Sequence, residues 1–335
     1  MGEQDRISVD EVEALALKAL VKAGATESNA APLARAIAAA ERDGIASHGL
    51  MYLATYCEHV ACGKVDGQAE PRLTKERPGS LTVDAATGFA HPAIDLGFPD
   101  LVATARANGV AGLAVRNSYN CGVLGYHTER LAAEGLLGIG FTNAPASIAP
   151  VNGTAAVVGT NPISVAVPDG AGGAAILIDQ SASVVAKSEI MKHAREDRPL
   201  PEGWALDADG HPTTDPHLAL QGTMMPAGGY KGVGMALFVE IMAAALSGAT
   251  LGIDASPFSG TKGGPPKTGQ FFLAIDPGAF AGDGFAPRIA GLVQAITDQP
   301  GVRLQGQGRK AARRRADSKG IEVGSAIRSK IEHLL

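Results

Sequence analysis

Aromatic residues make up only 4% of the 335 residues. A chain so poor in rings lacks the stacking platforms on which single-stranded nucleic acids are held. Cysteine is scarce as well. Cys57, Cys62 and Cys121 are the three in the chain, an odd number with no Cys-x-x-Cys pair and no zinc spacing. That argues against a disulfide framework, gives no reason to expect a metal, and points to a reducing compartment, the cytoplasm. Long apolar runs are missing. The longest, Val233 to Leu246, is broken by Glu240 and is too short to cross a bilayer. Met1 to Arg6 is polar and is not read as a signal peptide, and Arg6 stands where a myristoylation motif needs Ser or Thr. Nor is there an excess of positive charge. Lys plus Arg is 29 against 34 for Asp plus Glu, net -5, so neither nucleic acid nor a membrane surface is expected as a partner.

What is present is ordinary for a folded enzyme-sized chain. Hydrophobic residues reach 45% and charged residues 19%, which excludes disorder. The 43 glycines show no three-residue period, which excludes collagen. The length fits two domains or one large one.

The N-terminal quarter reads as helical. Ser8 to Ala23 has a capping box, Ser8 with Glu11, and an apolar stripe of Leu15, Leu17, Leu20 and Val21. Ser28 opens a second helix to Ala40, and a third runs from His48 to about Cys62. From Leu81 short apolar runs alternate with helices. Strands are expected at 81–83, 112–115, 138–142, 164–167, 175–178 and 270–275, with helices at 95–108, 125–134, 231–246 and 287–299. Such alternation means an α/β domain. Segments 195–215 and 252–266 read as loops. No flexible linker appears, so the domains are expected to interleave.

No dinucleotide fingerprint G-x-G-x-x-G follows a strand. The nearest segment is Gly228-Gly229-Tyr230-Lys231-Gly232, a glycine-rich turn before an apolar helix. It is either a phosphate cradle or a plain turn. Ser47-His48-Gly49 is either a proton donor with a hydroxyl beside it or a capped helix start with a surface histidine. Asn117-Ser118-Tyr119-Asn120-Cys121-Gly122 follows a strand, where open α/β sheets place ligands. Gly159-Thr160-Asn161-Pro162 is a similar polar knot. Structural turns explain either equally well. The cluster Arg309, Lys310, Arg313, Arg314, Arg315 reads as a solvated helix face.

These segments, taken in order with Pro201-Glu202-Gly203-Trp204, resemble the malate/L-lactate dehydrogenase family of the second type, from Val9 to about Val323. The resemblance implies a non-Rossmann α/β fold that binds NAD or NADP, a homodimer, and hydride exchange with a small 2-oxo or 2-hydroxy acid. Cyclic ketimine reductases and sulfolactate dehydrogenases are alternatives within the family, and a binding protein that has lost catalysis is the alternative outside it. It also implies a helical region 1–75 packed with a C-terminal segment 301–335 around a cofactor domain 76–300.

By the same resemblance His48 is the proton donor, with Ser47 beside it and Glu189 in relay with the pair. Tyr52, Asn120 and Thr160 face the substrate, a small carboxylate. The cofactor residues are Asn120, Cys121, Gly122, Val123, Leu124, Asn143, Asp179, Gln180, Ser181, Tyr230, Lys231 and Gly306. The chain departs from the family pattern in several places. Tyr52 replaces an arginine that clamps carboxylate, Asn120 replaces a histidine, and Ser188-Glu189 replaces Gly-Lys. Gln305-Gly306-Gln307 replaces Pro-Gly-Glu, a loss of acidic charge beside a basic run that suits NADPH.

Overall fold

The computed structural model describes residues 6–335. The reading of Met1 to Arg6 lies, but for Arg6, outside the described residues. Strand β1 (Arg6–Ile7) leads into helices α1 (Val9–Lys22), α2 (Glu27–Arg42) and α3 (Leu50–Ala61). The capping box is formed: the Glu11 N–H donates to Ser8 Oγ at 3.1 Å, and the Ser8 N–H donates to Glu11 Oε2 at 2.7 Å. α2 begins earlier than expected. Thr26, not Ser28, is its cap, because the Thr26 hydroxyl accepts the Asn29 N–H at 3.2 Å.

The central region holds β2 (Arg72–Arg77), β3 (Ser80–Asp84), α4 (Ala90–Asn108), β4 (Val110–Ser118), α5 (Leu124–Ala133), β5 (Leu137–Thr142), β6 (Ile163–Pro168) and β7 (Ala174–Gln180). A small irregular lobe follows: α6 (Lys187–Arg195), β8 (Ala205–Leu206), β9 (Pro212–Thr213), α7 (Pro216–Ala219) and β10 (Thr223–Met224). Helix α8 (Tyr230–Glu240) runs into a π turn, Ile241–Ala245, where one continuous helix was expected. The chain ends with β11 (Thr268–Ile275), α9 (Pro277–Ala281), α10 (Phe285–Thr297), α11 (Gln307–Lys319), β12 (Ile321–Glu322) and α12 (Ser325–Leu334).

Seven strands form one sheet in the order β2-β3-β4-β11-β5-β6-β7. Only β3 and β4 run parallel; the other pairings are antiparallel. Strand β11 shows why both faces are covered. Phe272 and Ala274 point into the core shared with α4 and α5, while Phe271 and Leu273 face Phe141, Val239 and Ala243 on the other side. The period of two in side-chain direction makes one strand serve two apolar layers. Strand β2 was not foreseen. Its sequence is almost wholly charged or polar, which suits an edge strand that must not invite further pairing.

The first described residues meet the C-terminal segment. β1 pairs antiparallel with β12, Ile7 opposite Ile321. Ala316, Ile321, Val323 and Ile331 share a core with α1, α2 and α3.

Candidate active site

The Ser47–His48 turn hangs between two tied ends. α2 stops at Asp43, and Gly44 follows with φ +75°, a conformation that favours glycine. A short 3-10 turn, Ala46–His48, carries the two polar residues. At its far end Gly49 has no side chain to cap α3. The half-buried Glu41 carboxylate fills that role: its Oε1 accepts the Leu50 N–H at 2.7 Å, and it occupies the space a Cβ on Gly49 would need. A side chain there would displace Glu41 from this cap. Ser47 Oγ lies 3.0 Å from His48 Nδ1. His48 is open to solvent yet walled by protein. That surrounding pushes its pKa below the usual value, the nearby Asp179 carboxylate pulls it up, and Arg309 pushes it down.

Asp179 stands next to last in strand β7 and ties together several expected segments. Its Oδ2 accepts the Gly125 N–H at 2.9 Å and Arg309 Nη2 at 2.6 Å. A Cβ on Gly125 would stand 2.5 Å from Arg309 Nη1 and 2.7 Å from Asp179 Oδ2, so a side chain there would displace that ion pair. The loop before α5 is shaped by Asn120, whose Oδ1 accepts the Tyr56 hydroxyl at 2.9 Å and the Gly122 N–H at 3.1 Å. Cys121, Val123 and Leu124 are buried under it, and burial pushes the Cys121 thiol up to about 12. Beyond Gln180 and Ser181, the Ala182 N–H donates to Thr160 O and the Ala227 N–H donates to Ala182 O, both at 2.8 Å. Those two bonds join the Thr160 knot and the Gly228–Lys231 turn to the end of β7. Gly306, at φ +88°, lies against Leu177 of the same strand.

Some expected residues are placed otherwise. Glu189 is not hydrogen-bonded to Ser47 or His48. It stands in the first turn of α6 and pairs with Lys192 at 3.5 Å, the partner one helical turn away. The Asn143 side chain is buried and spent inward: its amide donates to Thr250 O at 3.0 Å, and its Oδ1 accepts the Gly269 N–H at 2.9 Å. The Tyr52 hydroxyl donates to Phe258 O at 3.0 Å, so it holds the 252–266 loop. The basic cluster is corrected in part. Arg309 and Arg313 turn inward to carboxylates, because acids from distant segments meet α11. Sequence reasoning passed over Lys187. It is exposed to solvent at the start of α6, yet nearby protein lowers its pKa, and it makes no ion pair among the described residues.

These residues fit a dinucleotide. The first turn of α5 has no side-chain cap, since Val123 stands at the cap position. Beside it Arg309 Nη1 is buried without a partner. A helix start whose cap residue offers no side-chain bond and an unspent guanidinium N–H suit a phosphate.

The match to known proteins agrees. The family model for malate/L-lactate dehydrogenase covers residues 7–332. The chain is 43% identical over 322 residues to a (2R)-3-sulfolactate dehydrogenase (NADP(+)) of Chromohalobacter salexigens, covering 96% of this chain and 95% of that protein. It is 37% identical to a Delta(1)-pyrroline-2-carboxylate reductase of Pseudomonas fluorescens, over the full length of both. The crystal structure of delta1-piperideine-2-carboxylate reductase from Pseudomonas syringae superposes with a TM-score of 0.93 at 34% identity, covering 98% of this chain and 99% of that one. The fold and site thus define an NAD(P)-dependent oxidoreductase. The chain belongs to the malate/L-lactate dehydrogenase family.

Proposed function

We propose that this enzyme interconverts a small 2-oxo acid and its 2-hydroxy acid, with His48 as the proton donor. The observation that carries this reading is the Ser47–His48 contact, set in a protein-walled cleft within the electrostatic reach of Asp179 and Arg309. The nicotinamide supplies the hydride when bound. Negative charge then grows on the substrate oxygen, and a positioned acid must neutralise it. With Ser47 Oγ–H donating to Nδ1, the His48 proton stands on Nε2. An anionic substrate raises the proton affinity of His48, so the ring takes up its proton together with the substrate.

Asn120 to Leu124, Asp179 to Ser181, Tyr230, Lys231 and Gly306 are assigned to the cofactor. The buried Arg309 N–H and the absence of an acid at Gln307 favour NADPH, whose extra phosphate suits arginine. Thr160 is assigned to the substrate. The Tyr52 hydroxyl is committed to Phe258 O, so we assign the substrate anion to Lys187 and the uncapped start of α6. In this reading 1–75 and 301–335 form one unit and 76–300 the other, supported by the β1–β12 pairing and the core that α1–α3 share with the C-terminal segment.

A homodimer belongs to the same reading. Met235, Leu237, Phe238, Ile241 and Leu246, all on α8 and the turn after it, are exposed. A contiguous apolar face of this kind marks a protein contact. Among the described residues no helix is long and apolar enough to cross a membrane. The three free cysteines support a cytoplasmic setting.

Two relatives sharpen the substrate question, and cyclic ketimine reduction is the second reading. The test follows NAD(P)H absorbance with oxaloacetate, pyruvate, 3-sulfopyruvate and Δ1-pyrroline-2-carboxylate. Turnover of an oxo acid, lowered about 10²–10⁴-fold by His48→Ala with unchanged cofactor affinity, is the expected result. Preference for the imine would establish the second reading. Undiminished turnover in His48→Ala would remove His48 from the mechanism.

A further inference from the structure

Arg313 lies one helical turn beyond Arg309 on the inward face of α11, between the buried Ala312 and Ala316. Its guanidinium is shared by two carboxylates. Nε and Nη2 donate to Asp43 Oδ1 and Oδ2 at 2.5 and 2.8 Å. Nη1 and Nη2 donate to Glu129 Oε1 and Oε2 at 2.7 and 2.5 Å. Asp43 caps the C-terminal end of α2 ahead of the Ser47–His48 turn, and its side chain is 6% exposed. Glu129 stands on α5, the helix that opens behind the Asn120–Leu124 loop. The Ala312 Cβ also lies 3.3 Å from where a Cβ on Gly44 would stand.

We propose that Arg313 is a positioning residue, which fixes the Ser47–His48 turn relative to the cofactor loop at the start of α5. The inference rests on the proposed role of His48 and of that loop. Its physics is separate. Two carboxylates from two elements face one another, and only a shared cation lets them approach. A planar guanidinium can engage both in a fixed plane, whereas an ammonium is a point charge with no such plane. Removing the fork lets α2 and α5 part. A displacement of about 1 Å between reacting groups costs on the order of 10² in rate. The other end of the turn stays tied through Glu41 and Leu50. The loss therefore appears as a tilt of the turn, not as its unfolding.

The experiment compares Arg313→Lys and Arg313→Met with Arg314→Ala, an exposed neighbour on the same helix. Three quantities are read: kcat against NADPH dissociation constant, melting temperature, and hydrogen exchange of peptides covering 44–50, 120–128 and 110–118. For Arg313→Lys we expect kcat to fall about 10²-fold while the NADPH constant moves less than about threefold. Exchange should rise in 44–50 and 120–128 and stay fixed in 110–118, the β4 core. Arg314→Ala should match the native enzyme in all three. A folded Arg313→Lys with native kcat and native exchange in both segments overturns the inference. A native enzyme that turns over no oxo acid or imine overturns the proposed function instead, and the exchange pattern still decides the role of Arg313.

Discussion

Helices α8 and α11 invert what their compositions suggest. α8 and the turn after it are the most apolar helical segment, yet Leu237, Phe238 and Ile241 are 47%, 45% and 57% exposed. α11 is the most basic, yet Arg313 holds two carboxylates in a largely buried fork. The first helix has two apolar faces, one packed on Phe141 and the sheet and one exposed. The second has two basic faces, one for water and one for acids delivered from α2, α5 and β7. Composition tells what a helix can bury. The partners, which come from elsewhere in the chain or from another chain, decide what it does bury.

The comparison breaks most clearly at Arg313. Arg313→Met leaves Asp43 and Glu129 facing each other, and should cost about 3–5 kcal/mol of unfolding free energy, the usual result of removing one member of a buried ion cluster. Arg314→Ala, one residue on, should stay within about 0.5 kcal/mol. Urea unfolding of both variants is the measurement, and equal losses would return α11 to an ordinary solvated helix.

On α8 the paired changes are Leu237→Glu and Val239→Glu. Val239 is wholly buried, so the second should unfold the chain. Leu237→Glu should leave the fold intact but halve the mass seen by light scattering, with about 2 kcal/mol or more lost per subunit contact. An unchanged mass would show that the exposed face of α8 is not the subunit contact.

A third prediction concerns buried groups with no ionic partner. His91 and His127 are fully buried, and burial pushes His91 down to about 4 and His127 well below its usual value. Their folded pKa values lie below that of an unfolded histidine, about 6.5. The unfolded chain therefore binds protons first as pH falls, and stability declines through that window toward pH 4. The urea midpoint should drop between pH 7 and pH 5, and His91→Gln should flatten the slope. The smallest effect belongs to the exposed Lys75–Asp100 pair at 2.5 Å, where Lys75→Ala should cost no more than about 1 kcal/mol, most of it abolished by 0.5 M salt.

Much of this was legible in order along the chain. The capping box at Ser8 and Glu11 is a local signal, and it marks where α1 begins. The apolar run at 270–275 announces a strand, though nothing in it says that the strand is central. The charged run Arg72–Arg77 carries no strand signal because its one paired edge needs no apolar face. In the candidate site, Ser47, His48 and Lys231 stand in short motifs that can be read from the sequence, and Asp179 follows from the resemblance alone. Arg313 was not. Its partners stand 270 and 184 residues away, and no local pattern records such a meeting. Glu189 is the opposite case: the cation it pairs with, Lys192, is local.

Strand β11 has a consequence for how the protein is made. It separates β4 from β5, so the half-sheets β2-β3-β4 and β5-β6-β7 share no edge without it. While the ribosome has yet to deliver residues 268–275, both inner edges stand unpaired, and each offers a template to a stray strand. The register that joins the halves spans contacts of high sequence separation, which slows closure. A nascent chain of this protein should thus lean on chaperones until its last quarter emerges, and a translation pause before β11 should raise aggregation more than the same pause after it.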